Sequence, residues 1–298
     1  MRGCVPEILF FAAFLLCGFQ EAVAGNNLRA DVEFLSDSLC AGRASGTRGA
    51  VEASWYIERR MRQNVPDTRI QTFVLPAEGD KGCVACHNVL SEICRPGASR
   101  WLVITAYFDG LGTIRDVMYP GADSNASGVA ALLAIADSLS SGASRISGKY
   151  NILLAALDGH FADSEGAAAL WNETLNSRNV RIAVNLDIIG SSLSPVQPYR
   201  KEYVMALGAA PYCETLDALA REKRLAIYYD YYGSRDFTDL FFKRMGDQKV
   251  FLRHGIPSVM FTSGITMHTN KTSDTAETLD YDQLERRVSL ILSWLGKL

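Results

Sequence analysis

Asp109, Asp123, Asp158, His160, Asp187 and His268 are the residues of this 298-residue chain whose side chains and placement suit them to holding a cation. Carboxylates and imidazoles converging from separate segments are the donors that hard or borderline metals require. Taken singly, each has a plainer explanation. Asp123 reads as the anion that opens a helix, and Asp158 and Asp187 as carboxylates that bind backbone at strand ends. The stretch LAALDGHFADSEG (154–166) sharpens the question: an apolar run ends in Asp158-Gly159, and an imidazole and a phenyl ring, His160-Phe161, stand at its exit.

Two other patterns could carry chemistry. Ser124, with His160 or His268 and with Asp187, has the composition of a nucleophilic triad, although no strained G-x-S-x-G turn presents this serine. CVACH (83–87) matches the C-x-x-C-H pattern of covalent haem attachment.

The elements that must position these residues are legible as two kinds of segment. RGAVEASWYIERRM places Ala50, Ala53, Ile57 and Met61 on one helical face, SGVAALLAIADSL does the same for Val129, Leu132, Leu133 and Ala136, and YDQLERRVSLILSWL for Leu284, Val288, Ile291 and Leu295. Between them lie the apolar runs WLVITAYF, NILLAAL, IAVNLDII, YVMALG and SVMFTSG. Runs of that length alternating with amphipathic helices predict an α/β fold whose mostly parallel sheet is buried on both faces. Sites in such folds lie beyond the carboxyl ends of strands, which puts Asp109, Asp158 to Phe161, and Asp187 near one rim.

Close to half of the residues are apolar, enough for a full core, and the net charge of −3 without a long basic run argues against nucleic acid or an anionic membrane surface as partner. Arg2, the apolar run Ile8 to Cys17 and the small residues Ala22-Val23-Ala24 read as a secretory signal over residues 1–24, leaving one domain over 25–298. Leu16 is bulky for a lipoprotein processing site at Cys17, so the expected location is periplasmic or secreted. Export implies an oxidising compartment for Cys40, Cys83, Cys86, Cys94 and Cys213, with at least one of the five unpaired. A Cys83-Cys86 disulfide, or pairing with Cys40 or Cys94, is the ordinary expectation. Asn125, Asn172 and Asn270 lie in N-x-S/T sequons. His87 and His254 read as structural, and the tyrosines of IYYDYYG as packing.

In order along the chain, FLSDSLCAGRASGTRG, AYFDGLG, YPGADSNASGVAALLAIA, NILLAALDG, NLDIIG, HGIPSVMFTSG and HTNKTSDTAETLDYD resemble the secreted zinc aminopeptidase family, which includes leucyl aminopeptidases and glutaminyl cyclases. The resemblance covers essentially the whole mature chain. It implies a three-layer α/β/α sandwich with a central mixed, mostly parallel sheet, and in active members a zinc pair that activates water. A haem at CVACH would need room that this fold does not offer there.

Carried over residue by residue, the resemblance breaks where the chemistry should be. The family's first histidine ligand falls at Tyr107, its bridging aspartate at Ser124, its general base at His160 and its glutamate ligand at Phe161. Asp187 and His268 stand at retained ligand positions, Asp109 and Asp123 at supporting ones, and Asp247 in a segment that borders the family's cleft. Losing even an outer hydrogen-bond partner of a ligand costs roughly 10- to 100-fold in metal affinity; losing three ligands should cost far more. The resulting expectation is a non-catalytic family member without a cofactor, whose cleft binds a peptide, a glycan or another protein. The alternative is an enzyme with a rebuilt site, either metal-free or with one zinc on His160, Asp187 and His268 completed by Tyr107 or water.

Overall fold

The computed structural model describes residues 27–76, 82–140, 146 and 148–298. The expected signal segment, residues 1–24, and Cys17 within it lie outside the described residues. Helix α1 (residues 27–36) is followed by α2 (Arg48–Arg62), where Thr47 caps the first turn by accepting the Ala50 N–H and Arg59, Arg60 and Arg62 sit in the last turn, facing the negative end of the dipole. Strands β1 (Thr68–Pro76), β2 (Cys83–Ile93) and β3 (Arg100–Tyr107) come next, then a small hairpin of β4 (Thr113–Ile114) and β5 (Val117–Met118). The remaining elements are α3 (Ser127–Ser140), β6 (Tyr150–Leu157), α4 (Glu165–Leu170), β7 (Val180–Leu186), β8 (Tyr203–Leu207), α5 (Cys213–Glu222), β9 (Ala226–Tyr228), α6 (Arg235–Leu240), α7 (Gln248–Arg253), β10 (Ser258–Thr262) and α8 (Tyr281–Leu295).

All five apolar runs are strands of one eight-stranded mixed sheet, in the order β1-β2-β6-β3-β7-β10-β8-β9. Its centre, β6-β3-β7-β10, is parallel, with Tyr107 beside Leu157 and Leu186 beside Phe261. Antiparallel pairs flank this centre: β1 with β2, β2 with β6, and β8 with β10.

Side-chain alternation assigns each residue of a strand to one layer. Leu102, Ile104 and Ala106 of β3 pack with the apolar faces of α1, α2, α3 and α8. Trp101, Val103 and Tyr107 point the other way, toward Ala167 and Leu170 of α4 and Val250 and Phe251 of α7. The helical stripes expected from periodicity are all buried, and α8 is capped by Asp280, whose carboxylate accepts the Gln283 N–H at 3.2 Å. The three layers follow: helices on both faces of a sheet whose middle strands are apolar throughout.

Strand β2 corrects the disulfide expectation. Cys83 and Cys86 lie three residues apart on this continuous strand, one exposed and one buried. An extended chain separates such residues by roughly 10 Å and turns them to opposite faces, beyond disulfide reach. Cys40, Cys94 and Cys213 are likewise unbridged. His87 is held in the β1–β2 pair, its ring 3.2 Å from Thr72 Oγ1, and His254 stacks on Trp171 at 4.1 Å.

Candidate functional site

Four neighbouring parallel strands end at one rim of the sheet, and each hands a residue of interest to it: Tyr107 from β3, the 158–161 turn from β6, Asp187 from β7 and Thr262 from β10. Gly159, with φ of 72°, turns the chain out of β6 in the left-handed region that glycine tolerates. Asp109 then fastens the turn: its carboxylate accepts the His160 N–H at 3.0 Å and the Phe161 N–H at 3.1 Å. Asp158 binds backbone, accepting from His87 N–H and Gly159 N–H, and Ser45 donates to it at 2.6 Å. Asp123 accepts from Gly190 and Ser191 N–H, at 2.8 and 3.2 Å, besides leading into α3.

Three rings meet at the centre. Tyr107 and His160 are stacked, with centroids 3.8 Å apart and planes 8° from parallel. Phe161 stands edge-on to both, at 6.2 and 5.3 Å. The Tyr107 hydroxyl lies 3.2 Å from Ser124 Oγ, and its dipole favours the charged form of the Asp187 carboxylate. His160 Nδ1 lies 3.1 Å from Asp247 Oδ1, beneath the surface of the cleft, where Asp247 is fully buried.

Burial alone would push the His160 imidazole down; Asp247, then Asp187 and Asp109, outweigh it and raise the group to about 9. Burial likewise works against the Asp247 carboxylate, but His160 holds it below its usual range. The pair is therefore an imidazolium and a carboxylate at neutral pH. Burial lifts Asp187 to about 6 and, together with Asp158, Asp109 to about 7. Tyr107 is driven well above 10 by burial and then by Asp187, so its hydroxyl stays neutral.

These residues floor a cleft of about 440 Å³. Tyr107, Ser124, His160, Phe161 and Asp187 line it together, with Ile188, Tyr231, Phe241, Met260 and Ile265 as walls and Arg244 at the rim. Tyr231, read from sequence as packing alone, does both: it is buried, stacks on Phe241 at 4.3 Å and faces the cleft. His268 stands apart, its Nδ1 2.8 Å from Ser273 Oγ.

The donor set does not fit a zinc pair. Phe161 offers no lone pair, and the Tyr107 phenol is held neutral and lies 3.2 Å from Ser124 Oγ, which leaves His160, its Nδ1 beside Asp247, as a single imidazole donor. Among the described residues, no group of three or more His, Cys, Asp or Glu side chains is arranged to hold a metal. The triad is not formed either, because the partners of Ser124 Oγ are Tyr107 and, at 3.3 Å, Asn270. Asn125 is no glycan acceptor in the fold: its buried amide binds Tyr107 O, Leu186 O, Gly128 N–H and Ile188 N–H, tying β3 to β7.

Sequence reasoning passed over Asp274, Ser45 and Arg43. Asp274 accepts the Asp123 and Ser124 N–H groups at 2.8 and 3.1 Å, and buried Arg43 binds the Phe108, Leu35, Pro120 and Gly121 carbonyls. Their signal lay in segments already quoted for the resemblance, RASGTRG and TSDTAET.

Comparison with known proteins agrees with this architecture. A profile described as "Peptidase family M28" matches residues 88–295. The zinc aminopeptidase of Bacillus subtilis superposes with a TM-score of 0.71 at 13% identity, over 92% of this chain and 94% of that one. Glutaminyl cyclase of Fimbriiglobus ruber gives 0.71 at 14% identity over 92% and 95%. The LapA aminopeptidase of Legionella pneumophila gives 0.70 at 15% identity over 91% and 70%. At such identities the likeness establishes the fold alone. None of the curated proteins matches the sequence at a significant level.

Proposed function

Because the chain belongs to peptidase family M28, we propose that it is an exported, non-catalytic member of that family, whose cleft binds a ligand without cleaving it. The stack of Tyr107 on His160 carries this reading. By the sequence resemblance, these two rings stand at the positions of a metal ligand and the general base.

The protonation states point the same way. A base must offer a lone pair to the proton it removes. His160, raised to about 9 and bonded to Asp247, holds protons on both ring nitrogens at neutral pH. Tyr107, whose hydroxyl is neutral and lies 3.2 Å from Ser124 Oγ, cannot substitute. With Phe161 and Ser124 at the remaining positions, neither ring of the stack is set up to activate water against a peptide carbonyl. Three of the remaining carboxylates have other work: Asp109 shapes the 160–161 turn, Asp123 ties α3 to the β7 exit, and Asp247 balances His160.

The test is an assay for hydrolysis of aminoacyl anilides and for pyroglutamyl formation, each with and without added zinc. Rates at the buffer background in every case are expected. Turnover that appears with zinc and disappears with a chelator would contradict the proposal and favour a rebuilt metal site.

A further inference from the structure

We propose that the cleft above Tyr107 is a binding site for a small alkylammonium ion, its cationic head beside Asp187 and its alkyl body against the aromatic and aliphatic walls. This rests on the reading of the cleft as a metal-free binding site and names the ligand class that such a site would take.

Charge matching around the cleft supplies the first argument. Lys249 is matched by Asp163, Nζ to Oδ1 at 2.6 Å, and His160 by Asp247 at 3.1 Å. Asp187 is the lining carboxylate without an ion pair of its own, since His160 is shared with Asp247 and Arg244 stands at the rim. It is 6% exposed and lines the cleft beside the neutral Tyr107 ring. A carboxylate this buried carries a desolvation cost that one more positive charge would relieve.

The walls supply the second argument. Phe161, Ile188, Tyr231, Phe241, Met260 and Ile265 surround the approach to Asp187, and Phe161 and Ile265 remain 42% and 44% exposed at the mouth. Aromatic faces attract a desolvated cation, most usefully one too weakly hydrated to prefer water. Apolar walls at the mouth reward an alkyl body, and a volume of about 440 Å³ is in the range of small-molecule pockets. A bare divalent ion finds too few donors here, an anion meets Asp187, and an uncharged molecule leaves Asp187 unmatched. An organic monocation with an apolar body answers both features.

Calorimetric titration of the mature protein with butyltrimethylammonium, which has no N–H to donate, isolates charge and apolar contact. Hexanol serves as the uncharged comparison of similar apolar size. The ammonium ion should bind about tenfold more tightly than hexanol, and Asp187→Asn should remove that advantage. Because the Asp187 variant sits in the buried floor, Arg244→Glu on the exposed rim provides an independent check: it should tighten ammonium binding severalfold. Equal binding of ammonium and alcohol, an Asp187→Asn protein that binds unchanged, or an Arg244→Glu protein that binds no tighter would each overturn the proposal. Zinc content of the same sample separates the two readings. Stoichiometric zinc overturns the metal-free cleft itself, whereas zinc-free protein that ignores the ammonium ion overturns this inference alone.

Discussion

Tyr107 and His160 lie face to face, 3.8 Å between ring centroids, although 53 positions apart, at the ends of adjacent parallel strands. The stack is anchored at both ends, by the Tyr107 hydroxyl on Ser124 and by His160 on Asp247.

Tyr107→Phe keeps the stack and deletes the hydroxyl, so it should destabilise the protein by about 1–2 kcal/mol, the cost of one buried hydrogen bond. Tyr107→Ala, which removes a fully buried ring, should cost about 3–5 kcal/mol. Urea denaturation checks both, and equal losses for the two variants would mean that the ring contributes nothing.

His160→Gln leaves the buried Asp247 carboxylate without its cation and should cost about 3 kcal/mol or more. Adding Asp247→Asn removes the stranded charge and should restore most of that loss. A double-mutant cycle with no coupling between positions 160 and 247 would contradict the ion pair.

Much of the fold was legible beforehand, and for a physical reason. WLVITAYF and NILLAAL are apolar throughout because β3 and β6 are covered on both faces, so composition alone marks them as central strands. Several residues that meet in the cleft were also readable, since Tyr107, Ser124, His160 and Phe161 fall within ordered motifs. The pairing of His160 with Asp247 was not: it joins residues 87 positions apart, and nothing local in GDQKVFLRHGIP announces a buried ion pair. Asp274 and Arg43 escaped for the same reason, because polar groups that serve backbone in the interior follow no period. Cys83 and Cys86 misled through spacing, which suggests a turn where the chain runs straight.

Stability should fall as pH rises from about 4 to 9. His160 is raised from 6.5 to about 9, so its stabilising pair is fully present below pH 6.5 and is lost as pH approaches 9. Asp187 at about 6 and Asp109 at about 7 are also raised. The folded protein therefore keeps protons that the unfolded chain releases near pH 4, and these groups too favour folding less as pH climbs. Asp247, held low, acts oppositely only below that range. Urea midpoints should be lower at pH 9 than at pH 6.5, with the difference reduced in His160→Gln; a midpoint that rises with pH would refute the assignment.

The thiols should separate into two classes. Cys83, Cys94 and Cys213 are exposed and should react with a thiol reagent in the native protein. Burial raises Cys40 to about 11 and, with Asp158, Cys86 to about 12, so these two should react only after unfolding. Fewer than three fast thiols would indicate a bridge that the fold does not contain.

The most direct test of a metal-free cleft is zinc per chain, by elemental mass spectrometry, in protein purified without a metal-affinity tag and then dialysed against zinc. The account predicts no stoichiometric zinc in the wild type, and its return when Tyr107→His, Ser124→Asp, His160→Glu and Phe161→Glu are combined. Zinc held near one ion per chain by the wild type would contradict it.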